Sequence, residues 1–196
     1  MAALGKLNPD LHAILTMAKL EPPTVALLDG CSDTEDGLRR LQVAGDLAGA
    51  ARLGAFALGR REAVWWAAMC VLHTAPEGQA EIEVRAREAA ELWVRRQDDA
   101  TRRQAMDLAR QAGFAAPEAW AAVAAFWSGD SMSPPGQPAV PPGPHLTGTA
   151  VSGAIALAAV RGEANRRQVR LERFLVSLQE IAGGGAGRLA REMTTG

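Results

Sequence analysis

The sequence predicts an all-α protein, and two observations carry this prediction. Apolar residues recur at helical spacing along most of the chain, and no run of residues shows the alternation of a β-strand. Caps, glycines and prolines divide the periodic segments into short helices that a few residues connect. We therefore expect a compact hairpin stack of six to eight helices with a proline-rich connecting arm.

Composition and charge limit the class of protein. The chain has 196 residues, of which 48% are hydrophobic, and its formal net charge is −1. This balance is typical of a globular domain, and it argues against nucleic acid as a partner because nucleic acid favours a strongly basic face. We expect a single helical domain over residues 1–182 and a flexible C-terminal tail over residues 183–196, which begins with three glycines.

Cysteine use and hydropathy indicate the compartment. The two cysteines, Cys31 and Cys70, are too few for a disulfide framework, and the N-terminus lacks the apolar stretch of a signal peptide. The longest helical stretch that is nearly free of charge, residues 147–160, is much shorter than the roughly 20 residues that a membrane span needs. The sequence therefore predicts a cytoplasmic protein without a membrane span.

The N-terminal quarter of the chain contains start and stop signals for three helices. A first helix begins after Asp10 and ends at the Pro22-Pro23 pair, because proline cannot continue a helix. Thr34, which is followed by acidic residues, is expected to cap the second helix. Asp46 is expected to cap the third, whose alanines and glycines permit close contact with neighbouring helices.

The next segment, residues 60–74 with the sequence RREAVWWAAMCVLHT, is predicted to be the central helix of the protein. Its apolar residues cover nearly every side, which is typical of a helix that other helices surround. Trp65 aligns with Met69 and Leu72, so we expect it in the core. Trp66 points in a different direction and needs a partner surface of its own.

Five further helices are expected in the rest of the chain. One spans about residues 79–97, a second follows Asp98-Asp99, and Pro117 begins a third. After the arm, Thr147 or Thr149 is expected to cap the fourth, and the last spans about residues 163–182. The side of this last helix opposite its apolar stripe is expected to be a solvated face of three arginines, Arg166, Arg170 and Arg173.

The proline-rich arm, residues 129–145, interrupts the helical pattern. It holds six of the eleven prolines of the chain, so it cannot be a helix and favours polyproline II structure. It is either a stiff arm packed along the helices or an exposed docking segment. We expect packing, with Trp127 anchoring one end and the helix that follows anchoring the other.

No group of residues has the spacing of a known catalytic or metal site. Cys70 and His73 lie three apart on the central helix and could supply two zinc ligands, but the other ligands would have to come from distant segments. A Cys-His nucleophile pair lacks a recognisable orienting acid. We therefore expect a buried thiol and a structural histidine, with no bound metal, no cofactor and no catalytic residue.

Three phrases together resemble a family of small, all-helical and largely uncharacterised bacterial proteins: RREAVWWAAMCV, AAFWSGDSMSPPGQPAVPPGPHL and TAVSGAIALAAVRG. The similarity covers about residues 40–182. Genes of this family tend to lie beside genes for type VI secretion effectors and spike-tip proteins, and the family has no catalytic motif to transfer. The resemblance implies an adaptor or co-chaperone that helps a larger chaperone to load an effector onto the tip.

We therefore expect a non-catalytic protein-binding accessory protein, not an enzyme, whose partners are a larger chaperone, a secreted effector or both. The alternative is a small helical enzyme or ligand-binding domain with a pocket beside Trp66, Cys70 and His73. The candidate partner-binding residues are aromatic, proline, arginine and histidine side chains of the central helix and the arm, because such residues anchor many interfaces. They are Arg60, Arg61, Trp66, Phe126, Trp127, Pro134, Pro135, Pro141, Pro142 and His145.

Overall fold

The computed structural model describes residues 4–192, and the α-helices are the main elements of that range. The described part contains ten α-helices, and its single isolated β-bridge pairs Leu7 with Leu58. The all-α class is therefore confirmed. The helices are α1 Leu11–Ala18, α2 Pro22–Leu27, α3 Thr34–Val43, α4 Leu47–Ala57, α5 Arg60–His73, α6 Glu81–Arg96, α7 Asp99–Ala112, α8 Pro117–Trp127, α9 Leu146–Val160 and α10 Arg167–Ala182, with a 3-10 turn at Ala164–Arg166.

The described part has more helices than the expected six to eight, because the segments with helix signals number nine and the short α2 adds a tenth. Helix α1 has eight residues and α2 has six. The Pro22-Pro23 pair, expected only to end a helix, occupies the first two positions of α2. Proline is accepted there because the first amides of a helix have no intrahelical partner and the fixed proline φ suits the helix.

The observed helix starts agree with the predicted ones where a single residue can act as the N-cap. They differ where two adjacent residues could both act as the N-cap. Asp46 Oδ1 accepts a hydrogen bond from the Gly49 amide at 2.8 Å, and Pro117 is the first residue of α8, as predicted. Asp33 caps α3 instead of Thr34, because its Oδ1 accepts from the Asp36 amide at 2.9 Å.

Helix α9 begins before either of its expected N-cap residues. It starts at Leu146, and neither Thr147 nor Thr149 is its N-cap. The Thr147 hydroxyl instead donates to the Trp127 carbonyl at 3.1 Å, which ties the start of α9 to the end of α8. The two ends of the arm are therefore joined to each other, as expected from its anchoring by Trp127 and the following helix.

Helix α5 is central, as its apolar circumference predicted. It packs against α6, α8, α9 and α10, while α4 packs against α1, α3, α9 and α10. Trp66 is fully buried, and its indole Nε1 donates to the Phe174 carbonyl of α10 at 2.8 Å. Trp65 is only partly buried, so its expected place in the core was wrong. A helix without a polar side gives no signal for which tryptophan faces inward.

Two glycines let helices approach closely. A Cβ atom on Gly54 of α4 would overlap the Leu178 side chain of α10. A Cβ atom on Gly148 of α9 would lie 2.6 Å from the Phe56 ring of α4. These contacts confirm that the small residues of α4 and α9 serve close helix packing.

The arm folds back on itself instead of extending along the helices. The Met132 amide donates to the Val140 carbonyl at 2.7 Å, and the Gln137 amide donates to the Pro134 carbonyl at 3.3 Å, which closes a turn. Residues 134–141 are exposed. The segment is thus largely an exposed loop, and the expected packing against the helices is limited to its α7 side and to the buried Pro142.

The C-terminal segment is held on the domain as far as the structure describes it. Residues 186–192, here called the strap, run back along α5 and α10. The Trp65 indole donates to the Ala186 carbonyl at 2.7 Å, and the Glu192 amide donates to the His73 carbonyl at 2.8 Å. The expected flexible tail is therefore attached over residues 186–192, and its last residues, 193–196, lie outside the described range.

Candidate binding surface

The main candidate site is a cavity of about 270 Å³ where the start of α5, the end of α6 and the strap meet. We call it the basic pocket. Trp65 lines it together with Val94 and Ile181, so that part of its wall is apolar. The lining also contains four basic side chains and one carboxylate: Lys6, Arg61, Arg95, Arg188 and Glu62.

Two of the cations in the basic pocket have no carboxylate partner among residues 4–192. Lys6 pairs with Glu62 at 3.3 Å, and Arg95 pairs with Glu91 of α6 at 3.1 Å. Arg61 has no carboxylate partner within residues 4–192. The Arg188 guanidinium likewise lacks one in that range and lies over the Trp65 ring, 5.6 Å from its centroid. The pocket therefore presents net positive charge beside an aromatic surface.

The position of Arg61 explains why a cation is tolerated in the first turn of α5. A cation there opposes the helix dipole of α5. Arg61 Nε donates to the Val94 carbonyl at 2.9 Å, in the last turn of α6, where carbonyls lack intrahelical partners and attract cations. Arg61 is therefore held by a hydrogen bond to the end of a neighbouring helix. The Arg60 side chain is exposed and makes no hydrogen bond or ion pair to the described residues.

The aromatic candidates lie mostly inside the protein. Trp66 is fully buried and thus contributes to the core, not to a binding surface, in this structure. Phe126 is 6% exposed and is covered by the Arg102 guanidinium, 4.8 Å from its ring centroid. Trp127 is partly buried against the core.

The candidates in the arm are more accessible, but they do not join Arg60 and Arg61 in one site. Pro134, Pro135, Pro141 and His145 are exposed, whereas Pro142 is buried. Pro134 and Pro135 line a cavity of about 230 Å³ with side chains of α7. That cavity shares no residue with the basic pocket. The structure therefore divides the expected surface into two separate parts.

The region of Trp66, Cys70 and His73 is closed. Cys70 is fully buried, and burial raises the pKa of its thiol well above the ordinary value, which disfavours the thiolate that a nucleophile or metal ligand needs. His73 is 3% exposed, and its Nδ1 donates to the Ala190 carbonyl of the strap. In the described part of the chain no three His, Cys, Asp or Glu side chains are grouped to hold a metal ion.

A cavity of about 380 Å³ does reach His73, but neither Trp66 nor Cys70 lines it. Its walls carry Arg166, Arg170 and Arg173. Arg170 was expected on a solvated face, yet it is 5% exposed and its Nε lies 3.1 and 3.2 Å from the two Glu192 carboxylate oxygens. Arg170 is thus a buried anchor for the strap, which a helical periodicity could not predict.

Glu192 is the strap residue whose electrostatics are most perturbed. Burial raises the pKa of its carboxyl, but hydrogen bonds and charge from Arg170, together with charge from Arg166, outweigh burial and leave the pKa below its ordinary value. The ionised form is therefore favoured in the folded protein. The Arg170 guanidinium and the Glu192 carboxylate hold the end of the strap by charge-assisted hydrogen bonds.

A second buried ion pair was not predicted from the sequence. The Glu118 carboxylate of α8 is fully buried and accepts two hydrogen bonds from Arg161, which follows α9; one of them measures 2.9 Å. Gln79, from the segment before α6, donates to the same carboxylate. This network joins three parts of the chain. Glu118 lies in the first turn of α8, where an acidic residue is favourable by itself, so the sequence does not indicate its partner.

Comparison with known proteins gives one match. Residues 37–182 match the model of a family described as a family of unknown function, DUF6931. The match agrees with the expected resemblance to an uncharacterised family and contains no link to type VI secretion. Neither the curated proteins nor the solved structures gave a match. Within residues 4–192, no helix combines the length and apolar character that a membrane crossing requires.

Proposed function

Because the chain belongs to this family of unknown function, we propose its role from its own geometry: it is a non-catalytic accessory protein that binds another protein. The basic pocket carries this proposal. Arginine and tryptophan are the side chains that most often anchor protein interfaces. Arg61 and Arg188 lie beside Trp65 without a carboxylate of their own in the described range, so they can each pair with a carboxylate of a partner.

The chemistry of the pocket specifies the kind of partner segment. The net positive charge favours an acidic segment, and the apolar wall formed by Trp65, Val94 and Ile181 favours one that also carries an apolar side chain. The more specific role of an adaptor or co-chaperone, which helps a larger chaperone to load a type VI effector, is supported by the resemblance of the three phrases alone. This adaptor or co-chaperone role is a more specific version of the proposed protein-binding function.

Co-purification with quantitative mass spectrometry tests the proposal. The tagged full-length chain is compared with Arg61→Glu, which reverses one charge in the pocket. Arg85→Glu is the matched control, because Arg85 is also exposed but lies on α6 and outside the pocket. We expect Arg61→Glu to lower the recovery of a specific partner at least tenfold, about 1.4 kcal/mol, and Arg85→Glu to leave it unchanged.

A third variant tests the arm as the competing surface. Replacement of residues 134–144 by a Gly/Ser linker of equal length leaves the helices intact, because no helix includes these residues. Loss of the partner in the linker variant, with retention in Arg61→Glu, would move the interface to the arm and refute the role of the basic pocket. The adaptor form of the proposal requires that the partners lost in Arg61→Glu include a secreted effector and its chaperone.

A further inference from the structure

The strap is bound mainly through its main chain. Three of its carbonyls, those of Ala186, Gly187 and Ala190, accept hydrogen bonds from Trp65 Nε1, Ser177 Oγ and His73 Nδ1, respectively. Its last described amide, that of Glu192, donates to the His73 carbonyl. Every extended peptide has these carbonyl and amide groups. The groove between α5 and α10 therefore has the features of a peptide-binding site.

Three strap positions add selectivity. Gly187 is buried, and a Cβ atom there would lie 2.6 Å from the Ser177 carbonyl oxygen and would overlap Ile181, so only glycine fits. Leu189 packs against the core, and Glu192 pairs with Arg170. The strap side chains at positions 188, 190 and 191 are exposed. The strap residues whose side-chain positions are restricted by the groove thus follow the pattern Gly-X-Leu-X-X-Glu.

The connection between α10 and the strap permits the strap to leave the groove. It consists of the three exposed glycines 183–185, and Gly184 has a φ of +93°, which other residues rarely adopt. Leu189 is the one strap side chain that packs against the hydrophobic core in the described range. Segments with few apolar contacts open at lower free energy than the core of a protein.

We propose that the groove between α5 and α10 binds an extended segment of another protein that has the pattern Gly-X-Leu-X-X-Glu, and that the strap occupies it in the isolated chain. This inference rests on the proposed function, because it names the partner segment of a protein-binding molecule; that segment takes the place of the strap with its Arg188, while Arg61 and Trp65 of the basic pocket remain. The strap is the template for the ligand. It also competes with that ligand, because the short glycine connection keeps it close to the groove at high effective concentration.

A labelled peptide with the strap sequence GAGRLARE, residues 185–192, tests the groove in the full-length protein. Its binding is measured by fluorescence anisotropy to the parent chain and to the Leu189→Ser/Glu192→Gln variant, whose own strap is weakened. If the parent groove is closed for about 99% of the time, the peptide binds the parent about 100-fold more weakly than an open groove. We expect at least tenfold tighter binding to the strap variant than to the parent.

Two controls assign the binding to the groove. A peptide with glutamine in place of its glutamate lacks the carboxylate that Arg170 holds, and we expect it to bind at least tenfold more weakly. Adding Trp65→Phe to the strap variant removes the indole donor but keeps an aromatic ring, and it should also weaken binding. If the double strap variant is unfolded by circular dichroism, Glu192→Gln alone takes its place.

Several results would overturn the inference. The first is that a folded strap variant does not bind the peptide. The second is that the parent and the strap variant bind it equally. The third is that the parent forms a stable dimer that the peptide dissociates. The last result would assign the groove to the strap of a second copy. If the peptide fails while co-purification remains sensitive to Arg61→Glu, the proposed function stands and only the groove is wrong.

Discussion

Replacement of Trp66 by alanine gives the sharpest test of the fold. The Trp66 side chain is fully buried in the centre of α5. The variant therefore loses both the packing of this side chain and its hydrogen bond to the Phe174 carbonyl. Removal of a buried tryptophan costs about 3–5 kcal/mol, because transfer energy is lost and a cavity remains. In a protein of this size each kcal/mol corresponds to about 2–4 °C, so the melting temperature should fall by roughly 6–20 °C.

Trp65→Ala is the matched control, because it removes the same side chain one position earlier on the same helix. Trp65 is partly buried, its indole donates to the Ala186 carbonyl of the strap, and the Arg188 guanidinium lies over its ring. We expect a loss of about 1–2 kcal/mol from one hydrogen bond and partial packing. Urea unfolding followed by circular dichroism gives the free energy of unfolding of both variants.

The relative size of the two losses in unfolding free energy shows which tryptophan faces the core. Equal losses, or a larger loss in Trp65→Ala, would contradict the inward direction of Trp66 and the central position of α5. A variant Trp66→Phe separates packing from the hydrogen bond, since it retains most of the volume. We expect it to fall between the parent and Trp66→Ala.

Three further predictions concern the ion pairs and the close contacts. Glu118→Gln leaves the charge of Arg161 without its partner and should cost about 3 kcal/mol in urea unfolding, the lower end for buried pairs because Arg161 keeps some solvent contact; a change below the error of the measurement would show that the pair is not stabilising. Gly54→Ala should destabilise the protein by about 1–3 kcal/mol through overpacking, whereas Gly153→Ala, whose Cβ finds ordinary contacts at 3.8 Å, should raise stability by about 0.5–1 kcal/mol. Glu192 has a folded-state pKa below its ordinary value of 4.5, so its contribution is complete above that pH and is lost as the pH falls through the folded-state value. Stability curves between about pH 3 and pH 7 should show this loss in the parent and lack it in Glu192→Gln, and parallel curves would refute the role of the carboxylate.

Most of the helical framework could be predicted because its signals are local. The Asp46 cap, the proline at the start of α8 and the apolar circumference of α5 each depend on neighbouring residues alone. The Asp33 and Thr34 pair could not be resolved, since either residue type suits a cap. Short helices such as α2 were missed because a proline pair ends one helix and begins the next equally well.

The candidate surfaces were less predictable because they depend on contacts between distant parts of the chain. The hydrogen bond from Trp65 to Ala186 spans 121 residues, and the one from His73 to Ala190 spans 117. No spacing rule connects such residues. The three glycines before the strap indicate a flexible chain when they are considered alone, and only Ser177, His73 and Arg170 show that the following residues have a place to bind.

The basic pocket combines Lys6, near the beginning of the chain, with Arg188, near its end. During synthesis on the ribosome, the pocket therefore cannot form until the strap has left the exit tunnel. A chain cut short after α10 would retain the helices but lack this wall of the pocket. A partner that recognises the pocket thus distinguishes chains that contain the strap from chains cut short after α10.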